Sequence, residues 1–231
     1  LRWNTTNSLP GGTYNSLSFE TTASLAGNIT LTGTNNVDTA YGGLSTRVGA
    51  ILTTNNFNIT LTDDGTTNSG SLAISAAGEL SAIVAGSSTV TVAGFLNIRS
   101  VNGYLTSTAS GSWTVSGAWT NSSTSASWSF AAPITFNSAT GGTMTFAGAN
   151  LAGNEFNNVT FTSSAGTAQT FTMATRGLRW LTTLTISDTV STTALATADL
   201  ALGAAADAAD VVVGNGGILT ANASTVLVNG V

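Results

Sequence analysis

The sequence predicts an all-β fold, a β-solenoid of parallel β-helix-like type with short irregular insertions. Three observations predict it. An apolar–small polar–apolar triplet recurs along the 231 residues, with the period-2 alternation of a half-buried strand. Gly and Asn punctuate the intervals, as at Gly141-Gly142, Asn157-Asn158 and Gly216-Gly217, and these residues take positive φ at little cost. Distant segments also reuse the same words. Phe156-Asn157-Asn158-Val159-Thr160-Phe161 echoes Tyr14-Asn15-Ser16-Leu17-Ser18-Phe19 and Phe57-Asn58-Ile59-Thr60-Leu61, and Ser88 to Gly94 echoes Ser224 to Gly230. A β-sandwich or jelly roll completed by strand donation is the alternative architecture, but a sandwich has no need to repeat its words.

Taken in order, the predicted strands centre on Leu17-Ser18-Phe19, Ile29-Thr30-Leu31, Ile59-Thr60-Leu61, Leu72-Ala73-Ile74 and Val90-Thr91-Val92. They continue with Trp113-Thr114-Val115, Trp128-Ser129-Phe130, Met144-Thr145-Phe146, Val159-Thr160-Phe161, Phe171-Thr172-Met173, Leu184-Thr185-Ile186 and Val226-Leu227-Val228. The step is short but loose: Trp113, Trp128, Met144 and Val159 start 15, 16 and 15 residues apart. The rhythm breaks at 33–52 and at the Ala-rich stretch 192–210, where a short helix or a covering loop competes with an irregular insertion. The chain is therefore read as one elongated β-repeat domain, 1–231, with insertions in those two stretches.

Composition narrows function. Charged residues make up 6% of the chain, 5 basic against 10 acidic, and every basic residue is Arg. No basic stripe offers itself to nucleic acid. With Cys 0 and His 0, thiol chemistry, disulfides and the commonest zinc ligands are absent. No apolar run reaches the length of a membrane span. A surface of Thr, Ser, Asn and Gly suits a protein that associates with its own kind or carries sugar.

Candidate chemistry is sparse. Asp63-Asp64-Gly65 reads as a solvated turn rather than a calcium site, and Asp207 with Asp210 reads the same way. The remaining acids, such as Glu20, Glu79, Glu155 and Asp188, are scattered, which argues against a polysaccharide-cleaving enzyme. No catalytic residue, cofactor or metal site is predicted. Trp113, Trp119 and Trp128, with Phe130, read as core, because Trp113 shares a strand face with Val115 and Trp128 with Phe130. Thr-x-Thr pairs recur, from Thr30/Thr32 to Thr183/Thr185, but on irregular steps, the mark of good strand formers on a solvated face. Asn-x-Ser/Thr sequons at Asn4, Asn28, Asn58, Asn121, Asn158 and Asn222 are candidate glycosylation sites.

The words Phe156 to Phe161, Gly217 to Val226 and Ser88 to Gly94 resemble the repeats of extracellular β-solenoid surface proteins of adhesin-like or filament-forming type. Those proteins carry Phe-Asn-Asn-Leu-Thr-type repeats. The resemblance implies an extracellular or cell-surface location and carries no catalytic residues.

The pattern shows no polar cover at either end. Leu1-Arg2-Trp3 is repeated as Leu178-Arg179-Trp180, and Val226 to Val231 is again a strand word. Either the chain is a piece of a longer repeat protein or the subunit completes itself on its neighbour. Leu1, Arg2, Trp3, Val226, Leu227, Val228 and Val231 are the candidate contact residues. The expected function is a structural subunit of a self-assembling filament or surface fibre. Its expected partners are copies of itself, and surface glycans if it is instead an adhesin module.

Overall fold

A computed structural model describes residues 1–32, 43–47, 49–64, 69–74, 80–139, 142–146, 155–164, 169–174, 179–187, 190–194, 200–202, 210–213, 218–220 and 226–227. Among these residues there is no helix, and every strand pairing is parallel. The chain is a β-solenoid.

The first coil holds β1 (Arg2–Trp3) and β2 (Gly12–Tyr14). Its third side is a single bridge between Leu9 and Leu25. Five coils of three strands follow. They are β3 (Leu17–Phe19), β4 (Ala23–Ser24) and β5 (Ile29–Leu31), then β6 (Leu44–Thr46), β7 (Ile51–Thr53) and β8 (Ile59–Leu61). Next come β9 (Leu72–Ile74), β10 (Ala82–Val84) and β11 (Thr89–Val92), then β12 (Leu96–Ile98), β13 (Tyr104–Ser107) and β14 (Ser112–Val115). The fifth is β15 (Trp119–Asn121), β16 (Ser129–Phe130) and β17 (Ile134–Asn137). Beyond it the strands are β18 (Gly142–Phe146), β19 (Glu155–Thr162), β20 (Gln169–Ala174), β21 (Arg179–Ile186), β22 (Val190–Ala194), β23 (Leu200–Leu202), β24 (Asp210–Val213), β25 (Ile218–Thr220) and β26 (Val226–Leu227).

These strands form three sheets. A ten-stranded sheet runs from β1 to β25, an eleven-stranded sheet from β2 to β26, and a five-stranded sheet from β4 to β16. Alternation explains the core. Ile29 and Leu31 point in and are buried, while Thr30 between them is half-exposed, and β8 and β11 repeat this arrangement. Ile29, Ile59, Val90, Trp113, Ile134, Val159 and Leu184 stand in one inward column. Their separations in sequence are 30, 31, 23, 21, 25 and 25 residues, so the loose step lies in the turns and not in the strands. Each triplet step counted along the sequence covers only part of a coil.

The corners are held by side-chain ladders. Asn55 and Asn56 take positive φ at the turn into β8, a conformation Asn tolerates. Asn55 donates from Nδ2 to the Leu25 carbonyl at 2.9 Å, and Asn56 Oδ1 accepts from Ser87 N–H at 2.9 Å. Below them, Asn28 Oδ1 accepts from Asn58 N–H at 2.8 Å, and Asn58 Oδ1 accepts from Thr89 N–H at 2.9 Å. Each bond joins one coil to the next and satisfies a backbone group at a turn, a carbonyl for Asn55 and an N–H for the other three.

The aromatic residues lie in the core, as expected. Trp113, Trp119, Trp128 and Phe130 are buried. Trp119 packs edge-on against Trp128, Phe136 and Phe156 with centroids 6.4, 5.8 and 5.5 Å away. The two looser stretches are partly strand. Residues 44–46 and 51–53 form β6 and β7, and 200–202 form β23 where a helix or loop was expected. Residues 33–42, 195–199 and 203–209 lie outside the described residues.

Candidate functional site

A strand with a partner strand on one side only is an edge strand of its sheet. Here β1 and β2 are the outermost strands at one end of their sheets, and β25 and β26 at the other. At the first end the backbone anchors β1 to the coil below. The Leu1 ammonium donates to Ser16 O at 2.8 Å, and the Leu1 and Trp3 carbonyls accept from Ser18 and Glu20 N–H. Arg2 lies 3.6 Å from the Glu20 carboxylate, a partly exposed ion pair of small energetic weight.

Two rings lie over the end of the apolar core. Trp3 and Tyr14 are half-buried against it. Trp3 donates from Nε1 to Asn7 O at 3.1 Å, and Tyr14 donates its hydroxyl to Pro10 O at 2.7 Å. Sequence reasoning missed this partial cover. Its signal was the placement of Trp3 and Tyr14 four residues from turn carbonyls. Leu1 remains 53% exposed. At the far end Ile218 of β25 is 56% exposed, and Leu219 packs on the core. Val226 and Leu227 pair through the backbone with Leu200 and Ala201. Val228 and Val231 lie outside the described residues.

The sequons fall in different environments. Asn4, Asn28 and Asn58 are exposed, and Asn158 is half-exposed in β19. Asn121 is fully buried, and its Oδ1 accepts from Ser123 N–H at 2.8 Å. Asn222 lies outside the described residues.

One groove runs along the corner between the eleven- and ten-stranded sheets. It measures about 530 Å³ and is lined by Asp63, Ser69, Phe95, Ser116, Ser138 and Ser164 among others. Its floor is bare backbone at Gly94 and Gly117, where Gly117 N–H donates to Gly94 O at 2.9 Å. A Cβ on Gly117 would meet the Gly94 carbonyl carbon at 2.6 Å, so a side chain there would displace the neighbouring coil. The Asp63 carboxylate accepts from Ser69 Oγ, and that oxygen accepts from Asp64 N–H at 3.1 Å. The acidic pair is thus tied into the turn that closes the groove. No three His, Cys, Asp or Glu side chains converge among the described residues. Among the same residues no helix is long and apolar enough to cross a membrane.

The parallel sheets and the corner ladders define a β-solenoid repeat protein. No family model, curated protein or solved structure matches the chain.

Proposed function

We propose that the chain is a structural subunit of an extracellular filament or surface fibre, joined head to tail by β-strand pairing at its ends. One observation carries the reading: among the described residues two parallel ladders extend through the whole stack, from β1 to β25 and from β2 to β26, with Leu1 and Ile218 exposed in its end coils. A further coil, with its own strands in register, would bury Leu1 at one end or Ile218 at the other and extend the same core. Parallel stacking translates along one axis and does not close on itself, so repeated joining gives a fibre rather than a ring. The low charge of the surface removes the repulsion that keeps soluble monomers apart.

Electron microscopy and sedimentation of the purified chain test this. The expected result is concentration-dependent linear particles whose diffraction shows an axial repeat of about 4.8 Å. A chain that stays monomeric at high concentration overturns it.

A second reading, a glycan-binding module, is favoured by the groove. Phe95 supplies a ring face there, and Asp63 with the serine hydroxyls supplies hydrogen-bonding partners for sugar hydroxyls. Saturable binding on a glycan array, lost in Phe95→Ala, is the expected outcome of that reading.

A further inference from the structure

The outward face of the eleven-stranded sheet carries an order that the sequence hides. Thr13, Thr30, Thr60, Thr91, Thr114, Thr135, Thr160 and Thr185 are register partners in succession. The column is unbroken from β2 to β21, although the residues are 17 to 31 apart in the chain. Asn58, Thr89 and Ser112 flank it on one side. Thr62, Ala93, Ser116, Asn137 and Thr162 flank it on the other.

Strand geometry sets the dimensions of this array. Rows lie about 4.8 Å apart along the solenoid, and columns about 6.6 Å apart across it, two residues of roughly 3.3 Å each. A Thr side chain is stiff about χ1, so a regular backbone presents methyl and hydroxyl in the same way at each step. The central hydroxyls make no hydrogen bond to another described residue. Across these columns, from β2 to β21, the described positions include no charged residue and no outward aromatic ring.

Ala93 and Ser116 at one margin of this face line the groove, but the central threonine column carries no singular polar group by which a protein selects a discrete small molecule. What it offers is one straight threonine column that repeats at the strand spacing between mixed short polar residues, so a ligand that matches it must repeat along that line at about 4.8 Å. Crystalline polysaccharide would call for exposed ring faces, and this face has none. Ice repeats on a translation close to the strand spacing, and its surface presents donors and acceptors that pair with hydroxyls. Because the β-ladders fix the array before contact, little ordering is left to oppose binding.

We infer that the threonine face of the eleven-stranded sheet binds ice. This inference stands apart from end-to-end joining, since a single solenoid already carries the whole face.

The test is thermal hysteresis and partition into growing ice, read separately on monomeric and assembled fractions of the purified chain. The unaltered chain should facet ice crystals and concentrate in the ice phase. Thr114→Tyr, which lifts a ring out of the plane, should abolish the hysteresis. Thr106→Tyr, on the outward face of the five-stranded sheet, should retain it. Strand content by circular dichroism should stay the same in both. Should Thr114→Tyr fail to fold, Thr91→Ser keeps the hydroxyl, removes the ordering methyl and should weaken the hysteresis. An unaltered chain that leaves ice unshaped overturns the inference, as does equal loss in Thr106→Tyr and Thr114→Tyr. Binding to crystalline cellulose in place of ice overturns it too. So does a Thr114→Tyr effect limited to dispersing bundles of the chain, which would make the face a contact between copies.

Discussion

The coils from β3 to β14 and those from β15 to β21 build the same cross-section in different ways. In the first region each coil uses three short strands, and the core is mostly aliphatic, with Leu31, Leu44, Leu52, Ile59, Leu61, Leu72 and Ile83 stacked inside. In the second region the core is ringed by Trp119, Trp128, Phe130, Phe136, Phe156, Phe161 and Phe171. Among the described residues the five-stranded sheet ends at β16, and the strands of the eleven-stranded sheet lengthen to 8 residues in β19 and β21. The start of β19 packs against the end of that sheet: Phe156 lies on Phe130 at 5.4 Å and on Trp128 at 6.2 Å. A register shift between Phe156 and Asn158 bends the pair of long strands. The two regions therefore fill the solenoid interior with different side chains, aliphatic in one and aromatic in the other, while the ten- and eleven-stranded ladders continue through both.

Substitutions can break or sharpen this contrast. Trp119→Ala should have the largest effect, a loss of about 3–5 kcal/mol, because it empties the centre of the ring cluster. Urea unfolding followed by far-ultraviolet circular dichroism measures it. Leu61→Ala should cost about 2–5 kcal/mol in the same assay, toward the lower end if three short strands close around a cavity better than rings do. A larger loss at Leu61 than at Trp119 would place the stability of the rod in its aliphatic coils.

Gly117→Ala forces a Cβ against the Gly94 backbone and should cost about 1–3 kcal/mol. Gly142→Ala meets nothing nearer than Met144 Cε at 3.6 Å and should be close to neutral. Thermal unfolding of the two variants side by side separates corner packing from strand propensity. Of the substitutions expected to destabilise, Asn58→Ala should have the smallest effect, about 0.5–1.5 kcal/mol, by leaving Thr89 N–H to water. Faster amide exchange confined to the turn into β11 would locate that loss.

Much of this fold was legible as sequence. The triplets mark strands, and the rings of Trp113 and Trp128 read as core because each shares a strand face with another apolar residue. The ends were legible only in part. Arg2, Trp3, Val226 and Leu227 do lie in outermost strands, but the folding of Trp3 and Tyr14 over the core depends on hydrogen bonds to Asn7 and Pro10 that no periodicity announces. Asn121 shows the opposite failure. Its sequon looks like those of Asn28 and Asn58, yet it occupies a strand position whose side chain points inward. The groove was not legible at all, because it is made where Gly94 and Gly117, 23 residues apart, stack across a corner.

The sequence by itself determined which residues point in and which point out. Alternation is a property of a single extended backbone, so Ile29, Thr30 and Leu31 carry it without help from neighbours. Only the tertiary structure decided which sheet each word joins and which words align. Tyr14 to Phe19 and Phe57 to Leu61 share a pattern of aromatic, Asn and an apolar–polar–apolar triplet, yet Leu17 lies in the ten-stranded sheet and Ile59 in the eleven-stranded one. The irregular Thr-x-Thr steps likewise close into a straight threonine column. The physical reason is the same in both cases. Turns of different length absorb the variation between coils, and pairing between strands that are distant in sequence selects the register that keeps the apolar side chains inside.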